Sequence, residues 1–127
     1  LIIETSILGK GGPLNESEWE VIRQHPVVGA NLIEDIPETE TIRRIILQHH
    51  ERLDRTGYPY GLTAERIPVE SRIMAVVDVF HAIVSDRPYR KAKTVEQAIE
   101  EMKRDEGLDQ NVVGALITVL KRKGVLK

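Results

Sequence analysis

A chain of 127 residues, 41% hydrophobic and 30% charged, has the makings of one globular domain with a modest core. A net charge of −2 carries no basic excess for a nucleic-acid surface, and no apolar run approaches the roughly 18 residues of a membrane span. The absence of cysteine removes disulfides and thiolate metal sites. A cytoplasmic location is the default expectation. Leu1-Ile2-Ile3 shows neither an initiating methionine nor a signal peptide, so the chain reads as a piece of a longer protein.

Residues 1–14 pair a short apolar stretch with Gly9-Lys10-Gly11-Gly12-Pro13, a connecting loop that lacks the ending of a phosphate-cradling Walker motif. Asn15 and Glu18 form a capping box that starts a helix, with Trp19 and Ile22 on its apolar face. Pro26 disfavours helical geometry at His25, so this helix is expected to stop at Gln24 and a second, short one to run from Pro26 to about Glu34. His25 then falls at a helix junction with its ring able to point inward, as a cap or as a ligand. A third helix is expected from about Glu38 to Glu51, burying Ile42, Ile45, Ile46 and His49 at helical spacing.

Gln48 to Leu62, QHHERLDRTGYPYGL, holds the chemistry. Two adjacent histidines, Glu51 and Asp54 are ligand types for divalent transition metals. The turn Gly57-Tyr58-Pro59 beside them offers a close backbone approach and a ring for stacking. A long helix should follow from Val69 to about Asp86, its core stripe being Ile73, Val76, Val77, Phe80, Ile83 and Val84. Asp78 sits within that apolar stretch and needs a partner; His81 at i+3 supplies one, through a hydrogen bond or a shared metal. Arg87, Arg90, Lys91 and Lys93 can clamp phosphate oxygens or serve as the cationic end of a helix. A Thr94–Gln97 capping box opens a helix to about Glu106, and Asp109 caps the last one, which ends before Gly124. The pattern is all-α.

Four stretches in this order and spacing, EWEVIRQHPVVGA (18–30), HHERLDRTGYPYGL (49–62), IP…RIMAVVDVFHAI (67–83) and RPYR (87–90), resemble the HD-GYP family of metal-dependent phosphohydrolases. The resemblance covers nearly the whole chain. It implies a helical bundle, five to six helices in this stretch, around two or three divalent ions, iron or manganese first and zinc next. It implies hydrolysis of cyclic di-GMP in bacterial signalling, alongside a sensor or receiver domain in the parent. By position, His25, His49, His50 and Asp78 match metal ligands. Arg87 and Arg90 match residues that hold the substrate phosphate, and Gly57, Tyr58 and Pro59 match the substrate-facing loop. Residues 1–127 correspond to the C-terminal majority of such a domain, with the defining His-Asp pair expected upstream of Leu1.

Two positions depart from the family pattern: Arg55 stands where glycine is usual, and His81 where a second aspartate is usual. They motivate an alternative, a catalytically degenerate domain that binds a nucleotide or a protein partner.

Overall fold

The computed structural model describes residues 13–88 and 90–127. The loop expected over residues 1–12 lies outside them. Five α-helices are present among the described residues: α1 (Glu16–Leu32), α2 (Glu40–Gln48), α3 (Val69–Ile83), α4 (Val95–Lys103) and α5 (Gln110–Arg122), with a 3-10 turn over Ala64–Arg66. No strand occurs among the described residues, only an isolated bridge between Arg87 and Arg90. The all-α expectation holds. None of these helices is long and apolar enough to cross a membrane.

α3 is the central element, packing against α2 on one side and against α4 and α5 on the other. The core lies between α3, α4 and α5, where Val76, Ile83, Ala98, Met102, Leu108 and Val113 are buried together. α1 and α2 form a hairpin joined to this core through α3. Their axes approach closely at Gly29, where even a Cβ would sit 3.1 Å from the Ile46 side chain.

Asn15, Thr94 and Asp109 cap α1, α4 and α5 as the sequence anticipates, with both capping boxes formed. The break expected at Gln24 does not occur. α1 is continuous, with Pro26 inside it and its ring fully buried. A proline removes one helical donor and crowds the carbonyl four residues back, and the capping box together with packing on α2 offsets that cost.

Three helices end earlier than the periodicity suggests, each because side chains and loop amides take the terminal carbonyls or hold the residues just beyond. Beyond α2, Glu51 N–H bonds the Gln48 carbonyl and turns the chain. At α3, the Arg90 guanidinium donates to the Ala82 and Ile83 carbonyls, and Lys93 N–H also takes Ile83. At α4, Gln110 Nε2 donates to the carbonyls of Met102 and Asp105.

The apolar stripes also overreach. Ile73 and Val77 on α3, Ile42 on α2 and Trp19 on α1 are exposed. α3 is apolar around most of its circumference, so periodicity alone does not show which side meets the core.

Candidate metal centre

His49 and His50 sit in the turn that ends α2, and Asp78 projects from the middle of α3. The packing of α2 on α3 brings them together. One ligand atom from each of His49, His50 and Asp78 lies within 4.8 Å of the others, the group among the described residues with that property. His49 Nε2 stands 3.8 Å from Asp78 Oδ2, and the two imidazoles are 4.0 Å apart.

Asp78 is not the buried carboxylate the apolar pattern implies. Its side chain is 52% exposed, at the rim of the site facing His49 rather than His81. His81 is exposed and makes no ion pair among the described residues.

The orientation of His49 and the burial of His50 suit metal binding. His49 Nδ1 lies 2.8 Å from the Ile46 carbonyl and 3.2 Å from that of Ile45. Because a carbonyl can only accept, Nδ1 donates there, and Nε2 is the ring nitrogen turned toward Asp78 and placed to ligate. Burial, and next the charge of His49, push the His50 pKa down to about 4, so its ring is neutral at ordinary pH. Deprotonated imidazole is the form that ligates. These residues fit a divalent ion.

A consequence can be measured on the metal-free protein. With its folded pKa below the ordinary histidine value of 6.5, His50 binds fewer protons folded than unfolded between pH 4 and 6.5. Stability therefore falls as pH drops through that window, by about 2 kcal/mol after discounting for the ring's partial exposure. Urea unfolding across the window should show this slope, and His50→Gln should flatten it.

The following loop is built around Glu51. Its carboxylate is buried and accepts the backbone N–H groups of Tyr60 at 2.7 Å and Leu62 at 2.8 Å. Its neighbourhood suggests a ligand; the structure makes it the clamp of the Gly57–Leu62 turn. Asp54 is likewise turned away from the metal cluster, its Oδ1 accepting from Thr56 N–H and hydroxyl. Those bonds hold its carboxyl below the usual range.

Tyr58 N–H donates to the His50 carbonyl, and its ring stacks on His50 at 4.9 Å and 13°. Burial and the Asp78 charge raise its phenol pKa, so the hydroxyl stays a donor. Gly57 lies directly on the backbone of His50, Glu51 and Arg52, where any Cβ would overlap backbone atoms. Gly57→Ala should destabilise the protein by about 2–4 kcal/mol, because the obstacle is main chain that cannot rotate away. A fall in thermal midpoint with loss of the Tyr58–His50 stacking would check it.

Arg55 keeps the backbone that a glycine would adopt, with φ +67°, and its Nε donates to the Gly61 carbonyl at 3.2 Å.

A cavity of about 240 Å3 opens beside the histidines, walled by Tyr58, Asp78, Ala75, Val79 and Leu108. His25 is exposed and stands outside the cluster, close enough for its charge to lower the His50 pKa. Pro59 is half-buried in the turn after Tyr58. Arg90 is occupied by the carbonyls at the end of α3. Arg87 is exposed and makes no ion pair among the described residues, its backbone paired with that of Arg90.

Residues 4–112 match the family model described as HD domain. The chain belongs to the HD domain family. It is 40% identical over 121 residues to the cyclic di-GMP phosphodiesterase response regulator RpfG of Xanthomonas campestris, an alignment covering 92% of this chain and 32% of that protein. It is 39% identical over 119 residues to the cyclic di-GMP phosphodiesterase PA4108 of Pseudomonas aeruginosa, covering 92% and 29%. The 3'3'-cGAMP-specific phosphodiesterase 3 of Vibrio cholerae is 33% identical over 103 residues, covering 81% and 22%. The chain spans about a third of the length of the first two relatives.

Within this HD domain, sequence reasoning missed Glu51 as a loop clamp and the contribution of the α4–α5 connection to the site wall. No pattern in the sequence links Leu108 to His49. Tertiary packing joins them, α5 lying on α3 and Leu53 N–H bonding the Gly107 carbonyl.

Proposed function

We propose that this HD domain hydrolyses the phosphodiester bonds of cyclic di-GMP, or a closely related cyclic dinucleotide, in bacterial second-messenger signalling. The observation that carries the proposal is the convergence of His49, His50 and Asp78 within 4.8 Å, with one imidazole neutral and the other's ring oriented by a backbone carbonyl. The names of the relatives support the substrate class.

His49, His50 and Asp78 would contribute to holding two or three divalent ions, iron or manganese in first place, with His25 proposed as a further ligand. Metal bound there would supply Lewis acidity, lowering the pKa of a water and offsetting charge on the phosphoryl oxygens. The protein's own groups do the rest. Stacking on His50 holds the Tyr58 ring at the cavity mouth, where its face and protonated hydroxyl can receive a base or ribose. Arg87, whose guanidinium makes no ion pair among the described residues, offers a fork for a phosphate, while Arg90 anchors the segment that carries it.

The test is metal content and hydrolysis by the full-length protein, purified under reducing conditions and assayed with cyclic di-GMP and 3'3'-cGAMP. Bound metal with turnover of at least one substrate is expected. Metal-loaded protein that binds a cyclic dinucleotide without turning it over would overturn the reading in favour of a receptor.

A further inference from the structure

The loop that carries Tyr58 is not held by its own residues alone. Arg52, immediately after the His-His-Glu run, crosses to the connection between α4 and α5. Its Nη2 donates to Asp105 Oδ1, an ion pair between residues 53 apart in sequence. The adjacent Leu53 N–H donates to the Gly107 carbonyl at 3.0 Å. Asp105 Oδ1 also accepts Gly107 N–H at 2.9 Å, and the guanidinium lies so close to Gly107 that a Cβ there would strike it. Leu108, the next residue, is buried and walls the cavity beside the histidines. The far end of the loop is tied to the same connection: Arg72, which donates to the Ala64 and Ile67 carbonyls, pairs with Asp109 at 3.3 Å.

We infer that Arg52 and Asp105 form a positioning pair that sets the substrate-facing loop of this site, with the α4–α5 connection as its frame. This rests on the phosphodiesterase reading above. Gly57 lies on the backbone of His50 to Arg52, and Tyr58 N–H bonds the His50 carbonyl, so any displacement of Arg52 is passed to the Tyr58 ring. Two of the three metal-binding side chains are placed differently, His49 by the carbonyls of α2 and Asp78 by α3. Loss of the pair should therefore loosen nucleotide binding far more than metal binding.

The experiment uses the full-length, metal-loaded protein with two substrates, a cyclic dinucleotide and the small diester bis(p-nitrophenyl) phosphate, which has no base for the loop to receive. Arg52→Ala should raise KM for the dinucleotide at least about fivefold, with kcat/KM for the small diester and metal content within about twofold of wild type. Arg52→Lys, which retains the charge, should recover most of the loss. Equal losses on both substrates, or an unchanged dinucleotide KM, would overturn the inference.

Asp105→Asn keeps the acceptor for Gly107 N–H and removes the ionic partner, so it guards against mere unfolding. In this variant the Tyr60 and Leu62 amides should exchange with solvent about tenfold faster, with α5 amides unaffected. Unchanged exchange at Tyr60 and Leu62 would also overturn the inference. Turnover of neither substrate by the wild type would sink the phosphodiesterase reading, and the amide exchange would still decide whether the connection frames the loop.

Discussion

His49→Ala is expected to lower affinity for a divalent ion at least about 100-fold, since even residues that only orient a ligand are worth 10–100-fold in affinity. Turnover should fall with it. The protein itself should stay folded, because the side chain contributes one hydrogen bond to a carbonyl at the end of α2, worth about 1 kcal/mol. A second readout separates this from general damage to the site. Removing His49 takes away the second-largest cause of the depressed His50 pKa and leaves burial in place. The His50 titration in the metal-free variant should therefore move up from about 4 while staying below 6.5. Calorimetric metal titration and an NMR pH titration of His50 measure the two effects. Unaltered metal affinity would remove His49 from the ligand set.

Glu51→Gln should cost about 2–3 kcal/mol and release the Gly57–Leu62 turn. The two backbone N–H groups go to different oxygens of the buried carboxylate, and a carboxamide keeps only one of these as an acceptor, turning its NH2 toward the other amide. A buried amide left without a partner carries its desolvation penalty in full. Glu51→Ala strands both amides and leaves a void, so its cost should be larger, about 4 kcal/mol. Urea midpoints for both variants, with amide exchange at Tyr60 and Leu62, give the answer. A near-neutral Glu51→Gln would mean that the turn is held from elsewhere.

The difference between Glu51 and His49, neighbours but one in sequence, shows where residue patterns stop being informative. Both belong to an uninterrupted run of ligand-type side chains. His49 faces Asp78 across the packing of α2 on α3, whereas Glu51 has passed the turn and faces its own loop. A change of direction over two residues leaves no trace in composition or spacing. Asp54 repeats the lesson, its carboxylate satisfied by Thr56 within a local turn.

By itself, the sequence determined the helical class and the three caps at Asn15, Thr94 and Asp109. These are local or strongly patterned, set by the bonding of a few adjacent residues or by helical periodicity. Tertiary structure alone decided that α1 runs through Pro26, that Ile73 and Val77 face outward, and that Arg90 caps α3. It alone decided that Arg52 reaches Asp105. Each of these depends on which surfaces meet, and the free energy of that meeting is a sum over partners far apart in the chain.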